Sequence, residues 1–484
     1  MASITPTTDR NVLQATPENG QTYRGPFAIM TVLFFMWGFM TVFNDILIPR
    51  FKEAFTLDYF HAMLVQFAFF GAYFIGSLVY FIISATTSDP IAKIGYKNGV
   101  VIGLLIAATG SALFWPAAAQ LSYPLFLAGL FIVGLGFAML QIAANPYVTI
   151  LGPERTASSR LNLAQAFNSV GTTIGPLIGG YLIFQYFAKT GAHGADSVKV
   201  PYLAFCIVFL ILAAVFFCIH LPHVGEGKIE RGIGALKYPH VQLGVLAIFM
   251  YVGGEVAIGS TIISFLGQSS VAGLDTVEAS KYVSLFWGGM LIGRFMGAVE
   301  LSEMKPVNKQ LGMIAIPILG FVLFWVLRSW DTDAHQFDFG AGWTIVKNYL
   351  PLLGVCWVLF QFGKALAGRT LLIFGTTIVV LLAVSMFEGG KLAMWCIVGI
   401  GLFTSIGWPN IFSLALDGMG VYKSQVSSLL VMAILGGALL PPLQGLIADK
   451  HGLQMSYIVT LIAYAYVAFY GAIGHKIGRK NLPG

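Results

Sequence analysis

Charge is what this chain has least of. Lys, Arg, Asp and Glu make up 10% of its 484 residues, while 57% are hydrophobic. A soluble domain carries about 25% charged residues. So much apolar surface has no water-facing fold to hide in, and lipid is the solvent that accepts it. Cysteine is scarce too. Cys206, Cys218, Cys356 and Cys396 all fall inside apolar runs, which argues against a disulfide framework or a zinc site. No P-loop, HExxH, GxSxG or CxxC pattern occurs, so ATP hydrolysis and the common hydrolytic chemistries are not expected. The net charge of +6 is spread between the apolar runs and forms no patch, so no nucleic-acid partner is expected.

What is present is a series of long apolar runs. They fall near 27–50, 60–84, 98–118, 124–150, 161–187, 201–221, 241–268, 280–301, 310–328, 345–363, 370–386, 391–418, 423–447 and 455–475. At about 20 residues per span, this predicts an all-α integral membrane protein of about 14 helices. Barrel strands would alternate in polarity over about 10 residues, and these runs are continuous. Residues 1–24 are polar and carry no signal-peptide core, so a disordered cytoplasmic tail is expected. One set of loops collects Lys93, Lys97, Arg155, Arg160, Lys305, Lys309, Lys364 and Arg369; the opposite set is poorer, and its longest member, SWDTDAHQFDFGAGW, is acidic. The positive-inside rule then puts both termini in the cytoplasm, with residues 476–484 as the second tail.

Residues 222–240 form a hydrophilic linker between two halves, 25–221 and 241–475. The halves repeat. Phe70-Gly71-Ala72-Tyr73-Phe74-Ile75-Gly76 resembles Trp287-Gly288-Gly289-Met290-Leu291-Ile292-Gly293, and Gly171-x4-Pro176-x2-Gly179 resembles Gly437-x4-Pro442-x2-Gly445. The two offsets differ by about 49 residues, room for two helices and their loops. An extra pair is therefore expected in the second half, within about 305–386. Duplicated six-helix halves are the architecture of secondary transporters, whose site lies near the midplane between them.

Polar residues inside such spans are costly, which makes them candidates for chemistry. Asp45, in FNDILIP, interrupts the first run, and Glu255, in MYVGGEVAIG, lies deep in the seventh. Each carboxylate could load a proton or hold Na⁺. The bland reading of Asp45 is a wet helix end, with Arg50 close by. Gln141 and Asn145 share one helix face at i, i+4; Asn162, Gln165 and Asn168 form a second polar stripe. Amides both donate and accept, which suits a neutral ligand covered with hydroxyls. Asn44, Asn410 and Gln444 could complete the set, and Trp37, Trp287 and Trp408 could stack on an apolar sugar face. Helix–helix bonding and ordinary packing are the competing explanations. Arg294, near the end of its span, reads as gating or structural.

FFMWGFMTVFNDILIPRFKEAF, LQIAANPYVTILGPE, SRLNLAQAFNSVGTTIGP, GRFMG and SIGWPNIFSLAL resemble the fucose permease and glucose/galactose transporter family of the major facilitator superfamily. The resemblance runs from residue 34 to about 447. It implies a cation-coupled sugar symporter of the bacterial inner membrane. Asp45 then matches the family's first-helix acid, and Gln165 and Asn168 its fifth-helix sugar amides. Gln141 stands where the proton-coupled fucose permeases have Glu. With Glu255, it is similar to the glucose/galactose branch, some relatives of which use Na⁺. The extra helix pair is a departure from the family's pattern.

The expected activity is symport of a neutral hexose, glucose or galactose first, with Na⁺ or H⁺ as coupling ion, no cofactor, and a monomer in lipid as the working unit. The alternatives are symport of another sugar (N-acetylglucosamine, fructose, mannose or fucose), a non-transporting sugar sensor, and an integral-membrane enzyme. The last is disfavoured because no loop carries a catalytic cluster.

Overall fold

The computed structural model describes residues 22–56, 59–87, 89–180, 198–219, 233–274, 276–331 and 336–479. The side chains of 42–50, the tail up to residue 21, residues 181–197 with the end of the fifth expected run, residues 220–232 with the first part of the linker, and residues 480–484 lie outside what it describes.

The described residues are almost entirely helical, since a helix satisfies its own backbone groups in lipid. The first half holds α1 (Arg24–Ala54), α2 (Tyr59–Thr86), α3 (Pro90–Ala112) continued by α4 (Phe114–Ala119), α5 (Tyr123–Ile150), α6 (Ala157–Gly180) and α7 (Lys199–Cys218). The second half begins with α8 (Pro239–Gly267), α9 (Thr276–Glu300) and α10 (Pro306–Ser329). A two-residue hairpin, β1 (Trp330–Asp331) against β2 (Gln336–Phe337), leads into α11 (Phe339–Val346) and α12 (Leu350–Gly363). Then come α13 (Ala367–Phe387), α14 (Gly390–Thr404), α15 (Gly407–Leu416), α16 (Lys423–Met432), α17 (Gly436–His451), α18 (Leu453–Ser456) and α19 (Ile458–Ala472). Proline opens α3, α5, α8 and α10, where its missing N–H costs nothing.

Among the described residues, thirteen segments are long and apolar enough to cross a bilayer. The fourteenth expected span is α6, 24 residues long but carrying Asn162, Gln165, Asn168 and several hydroxyls. The lipid-facing surface is apolar, with Leu311, Leu319, Val355, Phe362 and Ile462 all exposed.

The halves pack alike. In the first, α1 lies on α6, α3 on α5 and α7, and α2 on α5; in the second, α8 lies on α17, α13 on α14 and α19, and α9 on α14. By this correspondence α3 pairs with α13, and the helices without a counterpart are α10 and the α11–α12 unit, which pack on each other and on α9. Close helix approach fixes both main crossings. A methyl on Gly38 would overlap the backbone oxygen of Asn168, and one on Gly436 would overlap that of Phe249.

Both described chain ends lie at one face. Tyr23 N donates to Leu151 O at 2.9 Å, and Arg479 pairs with Asp417, next to Gly418 whose N–H reaches Glu154.

Candidate functional site

In the first half, Trp37 is buried against Phe34, and its indole N–H donates to the Tyr73 hydroxyl at 3.2 Å. Tyr73 is also in hydrogen-bonding reach of Gln141. This chain of polar groups links α1, α2 and α5. Gln141 Oε1, and both amide atoms of Asn145 one turn on, are buried with no protein partner among the described residues. Unpaired buried amides are rare in folded proteins and mark places where water or ligand completes the bonding. Gln165 is buried on α6, and half-buried Asn168 donates to Phe34 O at 3.0 Å. Asn44 and Asp45 sit on α1, with side chains outside the described set.

In the second half, Glu255 is part-exposed on α8, one turn from buried Tyr251. The Tyr251 hydroxyl lies within polar reach of Glu255 and Arg294. Trp287, about half exposed, packs where Gly259 leaves room, one turn beyond Glu255. Gln444 is fully buried; its Nε2 donates to Thr261 at 3.2 Å while its Oε1 has no protein partner among the described residues. Trp408 stacks near Phe412, and its indole N–H is likewise unpaired. The first half thus contributes buried amides, and the second a carboxylate, an amide and aromatic rings.

From the chain-end face to about mid-depth, the halves are stitched together. Asp89 caps α3 by accepting from Ile91 N at 2.9 Å, accepts from Tyr80 at 2.5 Å, and reaches across to Ser424 at the start of α16. Ser159 donates to Ala298 O at 2.6 Å, and Arg155 pairs with Glu303. Asn162 donates to Asn410 Oδ1 at 2.9 Å and to Ser158 O at 2.8 Å. Two of the expected sugar amides are therefore paired with each other in this seal. Deepest in it, Arg294 Nη1 donates to Ser169 Oγ. Sequence reasoning missed Tyr73, Tyr251 and Asp89. The signal for Tyr251 was its position one turn before Glu255; Asp89 looked like an ordinary loop residue.

A family model described as "Major Facilitator Superfamily" matches residues 27–367. The chain belongs to the Major Facilitator Superfamily. It is a multi-pass membrane transporter of the fucose permease and glucose/galactose transporter family, and it falls in the glucose/galactose branch. It is 39% identical to a protein named "Glucose/galactose transporter" from Brucella abortus, over 98% of this chain and all of that one. It is 29% identical to the "L-fucose-proton symporter" of Escherichia coli, over 92% of each chain. Its fold is similar to that of the major facilitator transporter FucP, solved "in the outward conformation", with a TM-score of 0.72, 28% identity, and coverage of 94% of this chain and 99% of that one. In this superfamily's terms, the site between the halves is where a transporter binds its cargo.

Proposed function

We propose that this transporter carries out cation-coupled symport of a small neutral hexose, glucose or galactose first, by alternating access across a bacterial inner membrane. The observation that carries the reading is the set of buried amide atoms without a protein partner among the described residues, Gln141 Oε1, both amide atoms of Asn145 and Gln444 Oε1, in a protein whose helix α8 also carries the part-exposed Glu255. Hydroxyl-rich, uncharged ligands satisfy amides. A carboxylate beside them can bind H⁺ or Na⁺ and link it to the sugar, provided the cation favours the sugar-competent state. The name of the Brucella relative supports the sugar class, and that of the Escherichia coli relative supports symport.

In this reading Asp45 and Glu255 are the coupling carboxylates. Asn44, Gln141, Asn145, Gln165, Asn168 and Gln444 bind sugar hydroxyls, and Trp37, Trp287 and Trp408 flank them. Asn162, Asn410 and Arg294 belong to closure. The halves 25–221 and 241–475 move about the linker at 222–240 as a monomer in lipid. The chain-end face is cytoplasmic, and its sealed state is the outward-facing one.

The test is uptake of radiolabelled glucose into proteoliposomes under an inward Na⁺ gradient or an inward proton gradient, imposed separately. Accumulation driven by one of them is expected. Binding without uptake under either gradient, across a hexose panel, would replace symport by a sensor.

A further inference from the structure

The stretch SIGWPN breaks one membrane span into α14 and α15. Pro409 has no N–H, so the Ser405 carbonyl four residues earlier loses its helical donor. Arg294 Nε donates to that carbonyl instead, at 3.3 Å. The neighbouring Thr404 carbonyl accepts the Tyr251 hydroxyl at 3.1 Å. Gly407 makes room, since a methyl there would overlap the Tyr251 ring. The break thus seats Tyr251 of α8 and Arg294 of α9 side by side.

Each of these two residues has a second attachment. Tyr251 shares a face of α8 with Glu255, at i, i+4, and lies within polar reach of its carboxylate. Arg294 crosses to the other half and donates to Ser169 of α6. Tyr464 of α19 packs edge-on to Tyr251, so the groups around Glu255 are Tyr251, Arg294 and Tyr464. Arg294 is only 9% exposed, and a guanidinium so placed is held by whatever charge and carbonyls surround it.

We propose that Tyr251 and Arg294 are positioning residues that transmit the charge state of Glu255 to the closure between the halves. This rests on the reading of Glu255 as a cation-loading carboxylate. A charged Glu255 attracts Arg294, Tyr251 beside them stays anchored by its single O–H on Thr404 O, Arg294 keeps its bond to Ser169, and the unloaded carrier stays sealed at the chain-end face. A cation on Glu255 cancels that attraction and weakens the Arg294–Ser169 bond. The two states then differ in cation affinity, which is what coupling requires.

The experiment uses spin labels at exposed Lys93 and Lys305, one on each half near the sealed face. They are introduced as cysteines in the full chain, with the four native cysteines replaced, and distances are read in lipid nanodiscs while Na⁺ or pH is titrated. In the parent, cation addition is expected to populate a longer distance. Glu255→Gln should show that longer distance without cation. Ser169→Ala should do the same while leaving Glu255 untouched, by about tenfold in the open-to-sealed ratio, as one charge-assisted hydrogen bond implies. Tyr251→Phe should flatten the cation titration. A Glu255→Gln protein that stays sealed, a Ser169→Ala ratio equal to the parent's, or a Tyr251→Phe titration equal to the parent's would each overturn the relay. Sugar exchange by the labelled parent is measured alongside. Its absence defeats the transport reading itself, whereas intact exchange with unmoved distances defeats only the relay.

Discussion

In the first half, α1 meets α6 where Gly38 admits the backbone of Asn168; in the second, α8 meets α17 where Gly436 admits the carbonyl of Phe249. The geometry repeats, but the polar residues do not. The first crossing carries amides, Gln165 and Asn168, whereas the second carries Glu255, Tyr251 and Gln444. The lesson is that duplication supplies the scaffold, through small residues at helix contacts, and divergence supplies the site. Among the described side chains, amides line the first crossing, and a carboxylate, a phenol and an amide line the second.

Crowding a helix crossing should have the largest effect. Gly38→Val and Gly436→Val each force helices apart that have no room to yield, and overpacking costs about 1–3 kcal/mol or more. Both variants are expected to lose most folded protein on size-exclusion in detergent. If only one did, the crossings would not be equivalent.

Next come the amides. On the proposed reading, Gln141→Ala and Gln444→Ala each remove one sugar hydrogen bond, worth about 1 kcal/mol, so KM for hexose should rise about fivefold with either. A rise with only one of them would confine the site to a single half.

The third prediction concerns pH. His475 lies just beyond the last span, buried, with Nδ1 3.0 Å from Tyr470 O. Burial, with Arg479 and Lys476 nearby, pushes its pKa below the usual 6.5. The unfolded chain therefore binds more protons than the folded one as pH falls. This group's stabilising contribution is full above about 6.5 and is lost as pH drops through the lower folded value. Thermal unfolding in detergent should fall on acidification from neutral pH, and His475→Asn should reduce that dependence.

The smallest effect is expected at the rim. Arg155 and Glu303 form an ion pair with side chains 72% and 44% exposed. Arg155→Ala should change stability by less than about 0.5 kcal/mol, measured by the same melting assay.

The spans were legible because apolarity over about 20 residues is a strong signal, and the repeat was legible in part because glycines such as Gly76, Gly171 and Gly293 sit at close helix contacts. At the second match the tightest contact is made by Gly436, one residue before the matching Gly437, which lies against the Val252 and Val256 side chains. Glu255, Gln141 and Gln444 were legible as polar residues in apolar runs. The pairing of Asn162 with Asn410 was not, because it joins residues 248 apart that share no local pattern. Nor was the role of Tyr251, which counts as apolar in any window and gains its meaning from a helix break more than 150 residues away.

If Glu255 ties the cation to the sugar, removing its charge must separate accumulation from exchange. The most direct test compares gradient-driven accumulation with sugar exchange in proteoliposomes holding the parent or Glu255→Gln. The variant is expected to lose accumulation but still to exchange labelled for unlabelled hexose, more slowly. Accumulation as high as the parent's would contradict it and make Glu255 a bystander.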